Sequence, residues 1–112
     1  MSALGETRLW LAQRVSAAVL VVCVTVHLAT MIAAVRGGLS ATAILARTRG
    51  SLGWAAFYAL FVLAVSIHAP IGLRTVAAEW LGWRGGAADA LCLGVGVAML
   101  LLGAGAVAAV TR

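Results

Sequence analysis

The chain has 112 residues, of which 64% are apolar and 10% charged, against roughly 45–50% and about 25% in soluble domains, so a soluble globular fold is excluded. A single proline and long apolar runs exclude disorder. The formal net charge of +5 comes from arginines scattered singly along the chain, with no basic stripe or aromatic platform, which excludes nucleic-acid binding.

Crossing a bilayer core takes about 20 residues of helix, and three stretches supply them: Val15 to Val35, Leu52 to Leu73 and Ala90 to Val110. The first follows Arg8 and Arg14 and is too long for a signal-peptide core, with no A-x-A-like cleavage site, so it is expected to remain in the mature protein. The connection from Arg36 to Ser51 is broken by Gly37, Gly38 and Gly50 and charged by Arg36, Arg47 and Arg49. The connection from Arg74 to Asp89 contains Gly82, Gly85 and Gly86. Both are too polar for lipid. In the third stretch Gly94/Ala98 and Gly105/Ala109 are small residues four apart, the pattern that lets helix backbones approach closely. Cys23 and Cys92 lie inside apolar runs, far from any C-x-x-C, and read as small buried hydrophobes. The expected fold is all-α: residues 1–112 form one integral-membrane domain, a three-helix transmembrane bundle.

Three spans put the termini on opposite sides. Arg8, Arg14, Arg74 and Arg84 then share one side, and Arg36, Arg47, Arg49 and Arg112 the other. This even split gives no orientation by the positive-inside rule. The acids Glu6, Glu79 and Asp89 all fall on the N-terminal side, which reads as the side that meets a partner.

Ionisable residues inside a span are functional candidates by default, because an unpaired polar group in hydrocarbon costs several kcal/mol. His27 and His68 are two such residues. In the first span Gln13, Ser16, Leu20, Cys23, His27 and Thr30 recur at alternating gaps of three and four, on one helix face. In the second, Phe57, Phe61, Ala64, His68, Gly72, Thr75 and Glu79 do the same. Gly72 leaves a notch one turn from His68, Phe61 supplies a wall, and Arg74 supplies a cation at the rim. These are the residue types a haem b with axial imidazole requires. Pro70 removes a backbone donor to the Ser66 carbonyl and predicts a kink, with the Ser66 hydroxyl as the replacement partner.

The run His68-Ala-Pro-Ile-Gly72-Leu-Arg74-Thr-Val-Ala-Ala-Glu79 resembles the H-x-x-x-G-[LIV]-R-x-x-x-x-D signature of the cytochrome b membrane-anchor subunits of succinate dehydrogenase and fumarate reductase. Gln13-Arg14-Val15-Ser16 is similar to that family's H-R-x-S element at the start of its first helix. Gln13 stands in place of that His, Glu79 in place of Asp, Thr75 in place of His or Phe, and Trp10 in place of the quinone-binding Ser four residues before the Arg. The resemblance implies that His68 is an axial ligand of haem b iron and that Arg14 lies between haem propionates and a quinone. It places that quinone, the substrate, near Trp10, Arg14, Ser16 and Arg74, with Glu79 available to relay protons. It further implies a bundle of four to six helices completed by a second membrane anchor or a second copy of this chain, in a multi-pass protein of the bacterial inner membrane. A flavoprotein subunit carrying FAD and an iron–sulfur subunit would dock on it. The chain itself has no G-x-G-x-x-G after a strand and no cysteine cluster to replace them, so alone it is expected to have no succinate activity.

Two other readings follow from the same residues. One is a cofactor-free membrane scaffold or transporter accessory subunit with structural histidines, and the other is a small b-type cytochrome without dehydrogenase partners. Helix rise bears on His27: it lies about 20 Å beyond Arg14, whereas His68 lies about 9 Å from Arg74. The two are therefore expected not to share one iron, which leaves His27 as a ligand of a second haem or as a packed structural residue.

Overall fold

The computed structural model describes residues 2–112. Four helices follow in chain order: α1 (Ala3–Arg36), α2 (Ala41–Thr48), α3 (Leu52–Trp80) and α4 (Gly86–Thr111), with no strand among the described residues. Three of them, α1, α3 and α4, are long and apolar enough to cross a membrane. α3 is the central helix, packed against both α1 and α4.

All three long helices run past the apolar stretches on the N-terminal side. Ser2 accepts a hydrogen bond from the Gly5 N–H and starts α1 well before Val15. α3 continues beyond Leu73 to Trp80, and α4 begins at Gly86 after Gly85, which takes φ 105°. At 1.5 Å per residue α1 projects roughly 18 Å and α3 roughly 10 Å beyond the apolar spans. The bundle therefore carries a helical head on the side that holds all three acids.

On the other side the connection expected to be irregular contains α2, started by Ser40, whose hydroxyl accepts from the Ala43 N–H. α2 and the turn after it close the C-terminal end of α4. The Thr48 hydroxyl donates to the Val110 carbonyl (2.6 Å), Gly50 N–H to the Thr111 carbonyl (2.8 Å), and Arg49 Nε to the Arg112 carbonyl (3.1 Å). Carbonyls at a helix end have no intrahelical donor, and at a membrane boundary these three donors supply one. Gly50, at φ 74°, makes the turn.

α3 buries two faces. Phe61, Ala64, His68 and Gly72 turn toward α1, whose buried and half-buried residues Gln13, Ser16, Leu20, Cys23, His27 and Thr30 form the expected stripe. Val62, Ser66 and Pro70 turn toward α4, where the close approach falls on Gly96 and Gly103. A Cβ on Gly96 would lie 2.7 Å from Pro70 Cγ, and one on Gly103 would lie 2.5 Å from Val62 Cγ1. The expected contact pairs Gly94/Ala98 and Gly105/Ala109 instead point outward, with nothing within 4 Å of Gly94 or Gly105. Glycine content showed that α4 packs closely; which glycines do so depends on its rotation about its axis. The Ser66 hydroxyl is buried without a partner, so it does not replace the hydrogen bond removed by Pro70. Cys23 and Cys92 are both buried and free. Large side chains such as Val21, Leu93 and Leu102 are 67%, 69% and 76% exposed, as lipid-facing or subunit-facing surfaces require.

Candidate functional site

Antiparallel packing of α1 on α3 sets Ser16 opposite His68, with Ser16 Oγ 3.3 Å from His68 Nδ1. The same hydroxyl lies 3.1 Å from the Gln13 carbonyl. Ser16 is buried (5% exposed), and its single proton decides the tautomer. A carbonyl only accepts, so the Gln13 contact uses the Ser16 proton. The contact with His68 is then a hydrogen bond only if Nδ1–H is the donor. His68 Nε2 keeps its lone pair, makes no hydrogen bond among the described residues and is not a buried atom. The imidazole borders an open groove of about 470 Å³ lined by Ala17, Leu20, Val21, Val24 and Thr25 of α1. A fixed Nδ1–H donor and an unencumbered Nε2 on an apolar groove are what an axial histidine presents to a metal.

Gly72, one turn further along α3, is the point where Gln13 enters: a Cβ there would lie 3.3 Å from Gln13 Nε2. The notch expected beside the imidazole thus receives a side chain of α1. Gln13 Oε1 is buried without a partner.

Arg74 sits at the head of the bundle. Its Nε donates to Asp89 Oδ1 at 2.9 Å, and its Nη2 lies 3.6 Å from Glu6 Oε1. One guanidinium thereby joins α1, α3 and α4. Around it a polar cleft of about 360 Å³ is bounded by Glu6, Glu79, Trp83, Arg84 and Asp89. Arg14 makes no ion pair among the described residues. Its guanidinium lies 5.3 Å from the ring centroid of Trp10, and both side chains face outward. A cation stacked on an indole face is held by the ring quadrupole while its donors stay available.

A family model described as Succinate dehydrogenase/Fumarate reductase transmembrane subunit matches residues 2–106. The chain belongs to that family. It is a membrane subunit of a succinate dehydrogenase or fumarate reductase complex, with other subunits implied. No curated protein and no solved structure matches the chain.

His27 is well separated from His68. Its ring makes edge contacts with Tyr58 (centroids 5.9 Å) and Phe61 (5.5 Å), whereas His68 meets Ser16. This is a separation of eleven residues on α1 and of seven to ten on α3, roughly 10–16 Å of rise. The two imidazoles of this subunit do not converge on one point. Sequence reasoning missed the pairing of Ser16 with His68 and the aromatic enclosure of His27. Both stripes were legible, but their mutual register was not.

Proposed function

We propose that this subunit is the haem b-binding anchor of a succinate:quinone oxidoreductase, docking the flavoprotein and iron–sulfur subunits and forming part of the quinone site. The observation that carries this reading is the Gln13–Ser16–His68 relay, which holds His68 in the ligating tautomer on an open apolar groove. His68 would hold the haem iron, and Ser16 would orient His68. When bound there, the haem would supply one-electron storage next to the quinone. The second axial ligand comes from outside this chain, since His27 lies too far away. A second membrane anchor supplies it most simply; a two-fold copy is the alternative.

At the quinone, Arg14 is the functional cation. Arg74 already faces two carboxylates, whereas Arg14 is neutralised by none, so it is the guanidinium able to stabilise negative charge developing on a quinone oxygen. Trp10 supports Arg14 and offers an apolar face. Glu79, in the polar cleft of the head, is placed to take protons from the aqueous side. The projecting ends of α1 and α3 and the first turn of α4, with Glu6, Glu79 and Asp89, form the surface for the flavoprotein and iron–sulfur subunits.

The test is haem content of the assembled complex. His68→Ala is expected to remove haem b while the three spans still insert, because the apolar stretch around position 68 does not need the imidazole. Undiminished haem in that variant would leave a scaffold with structural histidines as the better reading.

A further inference from the structure

Every apolar span is bracketed by arginine at both ends: Arg14 and Arg36 around residues 15–35, Arg49 and Arg74 around 52–73, and Arg84 and Arg112 around 90–110. The two remaining arginines, Arg8 and Arg47, also fall one at each end of the bundle, and the chain has no lysine. Orientation in a bilayer is set by an excess of Lys and Arg close to the spans on the cytoplasmic side. Here that excess is zero for the whole chain and for each span taken singly, so no one helix imposes a direction. Carboxylates count little in this bias. What weight Glu6, Glu79 and Asp89 have falls on the head, and so it favours placing the other end inside.

The fold adds no asymmetry of its own. Arg74 ties α1, α3 and α4 together at the head through Glu6 and Asp89, and the Thr48 hydroxyl and Gly50 N–H close the far end on the Val110 and Thr111 carbonyls. Both closures are made within the chain, and three helices of this length and hydropathy cross a membrane equally well either way up. We propose that the subunit inserts in both orientations and that capture of its acidic head by the soluble subunits selects one. The capture step rests on the docking surface proposed above; the mixed insertion does not. A soluble partner cannot cross the bilayer, so it meets the exposed Glu6, Glu79 and Asp89 only on chains whose head faces it. Inverted chains present Arg36, Arg47, Arg49 and Arg112 to it and stay unassembled.

The test uses the full chain in sealed membrane vesicles, with one exposed position at each end, Thr7→Cys or Thr42→Cys, labelled by a membrane-impermeant maleimide; the native Cys23 and Cys92 are buried. Without the soluble subunits, both positions are expected to label from the same face in comparable fractions. With the subunits present, chains that co-purify with them should carry Thr42→Cys on the opposite face, and chains left behind should be inverted. A basic residue near the inner leaflet is worth about a fivefold bias, so two are worth about thirtyfold. Arg36→Gln with Arg47→Gln should therefore place nearly all heads inside and raise the yield of assembled complex about twofold. Arg8→Gln with Ala46→Arg should invert nearly all chains and lower that yield about fifteenfold. All four positions are exposed, so neither pair disturbs packing. A single orientation in the chain without its partners, or labelling that neither double variant shifts, would overturn the proposal. Soluble subunits that fail to co-purify with head-in chains would refute the docking surface and the capture step with it, whereas labelling without partners reads the insertion independently.

Discussion

Replacing Ser16 by Ala deletes the only acceptor for His68 Nδ1–H and changes almost nothing else. The contact removed is 3.3 Å long, beyond the roughly 2.9–3.0 Å mode for N–H···O, so the loss belongs at the weak end of its class. Loss of an outer-shell partner to a ligating histidine typically lowers metal affinity 10- to 100-fold. About tenfold is therefore expected here, and the haem should remain bound but transfer faster. The assay is haem transfer from the detergent-solubilised complex to excess apomyoglobin, followed optically. Ser16→Ala should accelerate it about tenfold, with Ser16→Thr close to wild type because it restores the hydroxyl. If Ser16→Ala holds haem as tightly as wild type with an unchanged reduced spectrum, Ser16 does not set the tautomer and the relay has no function.

Gly103→Ala places a methyl 2.5 Å from Val62 Cγ1 and Gly96→Ala one 2.7 Å from the Pro70 ring and 3.1 Å from the Ser66 carbonyl. Both force α3 and α4 apart, at about 1–3 kcal/mol each, readable as lowered thermal stability in detergent, whereas Gly94→Ala and Gly105→Ala should be neutral. Val62→Ala should rescue Gly103→Ala and leave Gly96→Ala unrescued. Arg74→Gln releases Glu6 and Asp89 together; these pairs are partly exposed, so about 1 kcal/mol is expected, and the difference from wild type should shrink in 1 M salt. Arg14→Ala should keep haem and weaken quinone binding, seen as a raised KM for quinone; unchanged quinone kinetics would return Arg14 to an interfacial anchor.

Composition and periodicity alone determined that this is a three-span membrane protein. Twenty apolar residues have one stable way through a bilayer, because backbone groups must bond within their own segment. They also determined the inward stripes of α1 and α3, since gaps of three and four leave only one face for Ser16 and His27, or for His68 and Gly72. The H-x-x-x-G-x-R run and the Gln13–Ser16 element carried the family resemblance that the match over residues 2–106 established. Helix ends were less legible: Ser2 caps α1 well before its apolar part, α4 begins at Gly86 ahead of its own, and a short helix lay hidden in a connection read only as polar. The sequence also could not say which glycines of α4 touch α3, because Gly94 and Gly96 are equally small and only the helix's rotation separates them. Register was decided by the tertiary structure alone. Sliding α1 along α3 by one turn keeps every stripe facing inward, yet it moves Ser16 away from His68 and Gln13 away from Gly72. The two histidines, alike in the sequence, differ in chemistry because one meets a hydroxyl and the other meets aromatic rings.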